Sequence, residues 1–371
     1  MDIFTYYNVN KNMTLTFTRY LYNKDEVKLT FIECLLKQEN LDECYFWIYE
    51  YYKTGYVRES WELLYKIYYD FYSLKNPKME KKIDTYYKKW EETKDTKFMF
   101  GIVKNLFRFD KDYTIFLLRT YYYKRNNEIV KNDEITDLGE LSKNEKLLIN
   151  AVKQGKQIAI SHYLKKIKGN KKVIKLLEGI LKKKIIINEC YNDVYHQLLS
   201  IIIRSFENIS KKKICYKIVL KKELINIMKT DEGCRKDGRH EDVSYVYKTL
   251  RKTRKYGISS NIGCFNLARD NLDLNNEFWY HWEYYAYKSP LWKNRFDKCK
   301  IKINDEKKTI NFENEDEYEE FYEEYGYEPD EQPKDIQEKS TKVIEKNTLK
   351  NWINEIFKTK LTKNIRVKIV Y

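Results

Sequence analysis

Along most of the chain apolar residues return every three or four positions, the spacing that gathers side chains on one face of an α-helix. The densest example is residues 41–76, LDECYFWIYEYYKTGYVRESWELLYKIYYDFYSLKN. Cys44, Trp47, Ile48, Tyr51 and Tyr52 share one helical face, and Gly55 follows where a C-terminal cap needs positive φ. From Val57 to Leu74 there are two stripes: Trp61, Leu64, Tyr65, Tyr68 and Tyr72, and then Leu63, Ile67, Phe71 and Leu74. Two stripes predict burial on two sides. Asn76-Pro77 ends the helix, because the residue before proline is pushed out of the α region. Rings at helical spacing on two faces read as core rather than as a base-stacking or ligand cage.

The same pattern organises the flanks. Residues 1–22 are mixed and predict a short extended arm, after which Asn23 or Asp25 can cap a helix to about Gln38 with Val27, Phe31, Cys34 and Leu35 inward. Helices over 78–91, 97–107 and 112–124 complete a set of stacked hairpins. The polar stretch 125–142 is the first break. Helical spacing resumes at 143–153, 156–167, 171–183, 192–206, 214–229 and 241–255, with the polar loop DEGCRKDGRHED between the last two. After Tyr256 the character changes. Phe278–Tyr287 is a dense aromatic helix stopped by Ser289-Pro290; CKIKI and KTINF alternate around NDEKK as a β-hairpin. Glu315–Tyr325 is an acidic helix striped by Tyr318, Phe321, Tyr322 and Tyr325. A proline-containing linker leads to an amphipathic helix over 335–358, and RVKIVY reads as a terminal strand or a frayed end.

The predicted fold is mainly α: an irregular helical-hairpin body, HEAT-like or solenoid-like, with a small C-terminal α+β region. Four stretches follow: aromatic hairpins over 1–125, a basic helical region over 126–256, an aromatic, hairpin and acidic-helix region over 257–335, and a tail helix over 336–371. No fixed repeat period is visible, and the tetratricopeptide and ankyrin consensus patterns are absent.

Composition supports long helices, with 35 Tyr but only 11 Gly and 4 Pro in 371 residues. Seven scattered cysteines without a CxxC pair fit reduced thiols in a cytosolic compartment. MDIFTYYNVN lacks the basic and apolar regions of a signal peptide, and no apolar run is long enough to cross a bilayer. Abundant Lys and Ile with little Ala or Gly suggest an AT-rich coding genome. The net charge of +15 points toward nucleic acid. Its distribution sharpens that signal, because 313–332 holds eleven acids and no base, leaving the remainder more basic still.

The blocks FWIYEYYKTGY…WELLYKIYYDFYSLKNP, SPLWKNRF at 289–296 and EEFYEEYGYEPDEQ at 319–332 resemble an uncharacterised protein family of giant DNA viruses of the mimivirus type. The resemblance spans roughly residues 25–335. It implies a viral source and a life in the host cytoplasm, at the viral factory, with the virion as the other location. It brings no activity that transfers to particular residues.

The chemistry of the residues must therefore be weighed directly. There is no phosphate-binding GxxxxGK[ST] loop, GxGxxG, GxSxG, HExxH or kinase signature. The loop containing Asp231, Glu232, Cys234, Asp237, His240 and Glu241 offers two good zinc donors where three or four are needed, so it reads as a solvated loop. His281 reads as a packed histidine. Cys190 with His196 is a conceivable nucleophile and base, but only three-dimensional geometry decides that. No metal, cofactor or catalytic residue is assigned.

The basic stretches carry the nucleic-acid reading. Residues 165–184 hold nine Lys and one acid, and 211–222 add more. KTLRKTRKY supplies Lys248, Arg251, Lys252, Arg254, Lys255 and Tyr256, with Arg251 and Arg254 on one face of the expected helix. Trp279, Trp282 and Tyr285 share a face and could stack on bases if exposed. The acidic helix is the expected docking face for a basic partner, through Glu319, Glu320, Phe321, Tyr325 and Tyr327.

The reading that follows is a non-enzymatic intracellular viral scaffold or adaptor with viral or host protein partners and RNA as a further ligand, and no membrane. Its narrower form belongs to a virus-encoded gene-expression complex of the translation-initiation kind. HEAT-type adaptors there carry Tyr-x4-Leu-apolar; Tyr113 and Tyr245 reach Leu118 and Leu250, but Arg119 and Arg251 follow. The alternatives are a virion structural or genome-packaging-associated protein and, third, a diverged enzyme that has lost its linear motifs.

Overall fold

The computed structural model describes residues 15–124, 141–167, 171–207, 215–231, 252–259, 262–265, 274–325 and 347–358, with isolated positions between them. It is mainly helical. The body comprises α1 (Lys24–Lys37), α2 (Leu41–Lys53), α3 (Val57–Phe71), α4 (Met79–Thr93), α5 (Lys97–Leu106), α6 (Thr114–Thr120), α7 (Lys143–Lys153), α8 (Gln157–Lys166), α9 (Lys171–Leu181), α10 (Val194–Ser205) and α11 (Lys221–Asp231). A two-residue antiparallel pair follows, β1 (Gly233–Cys234) with β2 (His240–Glu241). The C-terminal region holds α12 (Leu274–Tyr287), α13 (Pro290–Phe296), the hairpin β3 (Ile301–Asn304) and β4 (Thr309–Phe312), α14 (Glu315–Tyr325) and α15 (Leu349–Phe357).

Local signals account for the joints. Asn23 accepts from the Asp25 amide to start α1, and Asn40 accepts from the Asp42 and Glu43 amides to start α2. Ser142 and Glu145 form a reciprocal capping box on α7. Gly55 takes φ +102° between α2 and α3, and a Cβ there would stand 2.6 Å from Pro290. That turn is therefore also the seat of α13, whose Leu291 amide donates to the Thr54 carbonyl.

α3 lies at the centre, packed by α2, α4, α5, α6 and α10. Its two stripes are buried as expected, from Trp61 to Phe71. Polar groups inside are matched to one another: Tyr65 donates to Asp84, Tyr69 to Glu80, and Ser200 bonds Ser73. One continuous apolar core takes side chains from all four stretches of the sequence, Leu15 and Phe17 through Trp352 and Ile356. The arm at 15–22 belongs to it. Arg19 forks onto Glu50 of α2, the Tyr20 amide donates to the same carboxylate, and Trp292 of α13 donates to the Thr18 carbonyl.

Three expectations change. The helix expected over 241–255 is absent from its described end: 252–258 is non-helical, and Ile258 forms a parallel bridge with Asn347. Residues 215–220 are also non-helical, because Asn105 of α5 holds the Lys217 backbone at both its N–H and its C=O. The tail helix is described from Leu349, with Thr348 as its cap and the bridge at Asn347 before it. The β3–β4 hairpin forms where expected, with Ile301 opposite Phe312 and Ile303 opposite Ile310. No helix among the described residues is long and apolar enough to cross a membrane.

Candidate nucleic-acid interface

The stretch 252–258 is a strap across α1. Its backbone is held by the Tyr22 hydroxyl at Lys252 N, by Thr30 Oγ1 at Lys255 N, and by Asn347 N at the Gly257 carbonyl. Alternate side chains turn inward. Arg254 is 4% exposed and ion-paired with Glu26 of α1, whose other oxygen accepts from the Tyr256 hydroxyl at 3.0 Å. A Cβ at Gly257 would collide with Trp352, so the strap, α1 and α15 close on one another there.

Arg254 and Tyr256 are thus corrected from nucleic-acid contacts to structural anchors: a guanidinium with a buried carboxylate beside it is spent inside the fold. Lys252 and Lys255 remain half-exposed. Lys255 lies 3.6 Å from Glu43, and the Lys252 ammonium sits 5.2 Å from the centre of the Phe46 ring. Lys248 and Arg251 lie outside the described residues, as does Tyr327.

The aromatic helix divides its tryptophans. α12 departs from helical geometry at His281 (φ −136°, ψ 20°), so Trp279 and Trp282 no longer share a face. Trp282 is 3% exposed and packs on Trp292 and Tyr322, which corrects its expected role in base stacking. Trp279 is 37% exposed and neighbouring Tyr280 more so. In α14, Glu319 and Glu320 face solvent, whereas Phe321 stacks on Phe296 and Tyr325 accepts from Lys298. Phe321 and Tyr325 are core residues of the hairpin region, not docking residues.

Of the lysine run, Lys166, Lys171, Lys172, Lys175, Lys182, Lys183 and Lys184 face solvent, whereas Lys165 is half-buried with its ammonium 4.7 Å from the centre of the Tyr195 ring. A cleft of about 190 Å³ opens between α2 and α11. Tyr45, Phe46 and Tyr49 line one wall, with Asp42 at one end and Glu223 and Asn226 of α11 opposite. Lys104 reaches Glu223 at 2.5 Å. Burial opposes ionisation of Glu223, but the hydrogen bonds from Lys104 and from the Leu220 amide outweigh it and hold the carboxyl below its ordinary range.

The candidates for chemistry are consumed structurally. His196 does not face Cys190: its Nδ1 lies 3.0 Å from the Tyr191 hydroxyl and its Nε2 2.9 Å from Asp70. Arg119 forks onto the same Asp70 at 2.9 and 2.6 Å, making a buried Asp–Arg–His cluster that sequence spacing did not reveal. Cys190 is half-buried, and burial together with Asp84 raises its thiol above the ordinary value, the wrong direction for a nucleophile. The β1–β2 register sets Cys234 opposite His240, with both side chains outside the described residues.

No known protein family matches the chain, and no curated protein or solved structure is significantly similar to it.

Proposed function

We propose that the chain is a non-enzymatic helical scaffold from a giant DNA virus, working in the host cytoplasm. It holds RNA on its lysine-covered exterior and a basic protein partner on the acidic face of α14. The narrower form places it in a virus-encoded gene-expression complex of the translation-initiation kind. The carrying observation is the solvent-facing lysine run around α9, with one acid among nine lysines over 165–184. Lysine ammonium groups neutralise phosphates without reading bases, so such a face grips a strand irrespective of sequence. The acidic helix adds a second surface of opposite sign: Glu315, Asp316, Glu319, Glu320, Glu323 and Glu324 are all exposed. A body of packed helical hairpins suits the holding of several partners at once.

The test is fluorescence anisotropy with a labelled single-stranded RNA. If about four lysines meet phosphates, affinity should fall about 50-fold between about 50 and about 200 mM salt. Lys175→Glu with Lys182→Glu should weaken binding by about tenfold or more at the lower salt. A flat salt response, or unchanged binding by the double variant, would overturn the reading.

A further inference from the structure

The β3–β4 hairpin leaves one edge open. The Glu313 amide donates to the Lys300 carbonyl, and the register that follows sets Ile301 opposite Phe312, Lys302 opposite Asn311 and Ile303 opposite Ile310. In an antiparallel ladder, opposed residues alternate between hydrogen-bonded and non-hydrogen-bonded positions. Lys300 is of the first kind, so Lys302 is too, and Ile301 and Ile303 are of the second. Their N–H and C=O groups therefore point away from β4. No third strand pairs with β3 among the described residues, and neither isoleucine amide has a hydrogen-bond partner there.

This edge is already held in shape. Phe312 packs against Phe296 and Phe321, Tyr284 donates to Asp305 in the turn, and His281 Nδ1 lies 3.1 Å from the Lys308 carbonyl. α12 and α14 pack on β4, so the free edge is that of β3. A strand that adds here must order itself but not the hairpin.

Side chains define what fits. Ile303 is 41% exposed on the face that β3 shares with Ile310 and Phe312, so an apolar residue of an incoming strand would cover it. On the opposite face Lys300 pairs with Glu313 at 3.1 Å, whereas Lys302 is exposed and has no ion pair among the described residues. A short edge bearing a lysine guards against pairing with a second copy, which in antiparallel register would set Lys302 against Lys302. The same lysine favours a strand with a carboxylate at that position, since opposite charges across a ladder attract and like charges repel.

We propose that the β3 edge docks an extended segment of a partner protein. The segment adds as an antiparallel third strand, with an acidic residue opposite Lys302 and apolar residues opposite Ile301 and Ile303. Its backbone bonds the free N–H and C=O groups of those two isoleucines. The site is separate from the lysine face of α9 and the acidic face of α14 and depends on neither.

The probes are two capped peptides of threonine and valine that differ only in a central glutamate or lysine between two valines. Isoleucine-selective amide NMR on the full chain follows each titration near physiological salt, where attraction to the net positive charge is screened beyond about 8 Å. The glutamate peptide should shift the Ile301 and Ile303 amide signals and slow their hydrogen exchange, and should leave Ile310, which faces the other edge, unchanged. It should bind about fivefold tighter than the lysine peptide, and Lys302→Glu should reverse that order. Circular dichroism checks that this exposed substitution leaves the fold intact. Methylating the peptide nitrogens that face β3 should abolish binding while every side chain stays in place. No change at Ile301 and Ile303 with millimolar glutamate peptide, a preference that Lys302→Glu leaves as it was, or binding that survives methylation would each overturn the proposal. Protection of both isoleucine amides in a concentrated solution of the chain alone would overturn it in favour of a second copy.

Discussion

Replacing Asp70 by Asn gives the most direct test of how the core is held. Asp70 is fully buried in α3 and accepts from Arg119 Nε at 2.9 Å and Nη2 at 2.6 Å, while His196 Nε2 lies 2.9 Å away. Burial works against its charge, but Arg119 and His196 outweigh burial and hold the carboxyl well below the ordinary carboxylate range. Asparagine keeps the shape and removes the charge that the Arg119 fork meets. Breaking a buried pair from one side costs about 3–5 kcal/mol. Lys66 compounds the cost: burial and Arg119 push its ammonium down to about 8, and Asp70 is one of the groups opposing that shift. Unfolding entropy of about 2.1 cal/mol/K per residue gives about 0.8 kcal/mol/K for the chain, so Tm should fall by about 4–6 °C. Calorimetry and urea unfolding measure it. Asp70→Leu combined with Arg119→Met should lose less than Asp70→Asn alone, because no charge is then stranded. A Tm change below about 1 °C for Asp70→Asn, or a double variant worse than the single, would refute the argument.

Two further predictions concern other charges in the core. Burial holds His196 below its ordinary value near 6.5, with Asp70 opposing in part, so the ring is neutral when folded and takes up a proton when unfolded at lower pH. The contribution is therefore fully present above about pH 6.5 and is lost as pH falls below it, by up to about 1.4 kcal/mol per pH unit. Urea unfolding across that window should show the slope, and His196→Gln should remove it; an unchanged slope would assign it elsewhere. In the strap, Arg254→Met should cost about 3–5 kcal/mol by stranding the Glu26 charge. Lys255→Ala should cost under about 0.5 kcal/mol, because that side chain is 44% exposed and its pairing with Glu43 is screened. Equal losses would show that the strap is not anchored through its alternating side chains.

The parts legible in the sequence are those whose partners are near in the chain. The two stripes of α3, the glycine turn at 55, the β3–β4 hairpin and the Phe321–Tyr325 stripe each show a period within a dozen residues. The strap was misread because its charges mask a period of two. Arg254, Tyr256 and Ile258 turn inward, and that alternation gains meaning only beside Glu26, 228 residues earlier. Likewise Trp279 and Trp282 share a face only in an unbroken helix, and the departure at His281 separates them. His196 was visible as a titratable residue near Cys190. Asp70 and Tyr191, which settle what it does, lie on α3 and in the turn before α10. The α2–α11 cleft had no linear signal, since its carboxylates come from Asp42 and Glu223, and its rings looked like ordinary core.

The division between the two cations connects the core with the proposed function. Arg19, Arg119, Arg254 and Arg295 are buried, and each meets a carboxylate or an aromatic ring: Glu50, Asp70, Glu26, and the rings of Trp292 and Tyr325. A planar, weakly hydrated guanidinium that fits carboxylates in a fork is the cation best suited to such sites. Lysine keeps its hydration and its flexible stem, and it covers the α9 surface. Arginine is also the residue that most often reads guanine from its major-groove edge, so these four are withdrawn from such contacts, while Arg58 and Arg108 stay exposed. A lysine face grips phosphates irrespective of sequence, so the exposed surface around α9 suits a strand of any sequence.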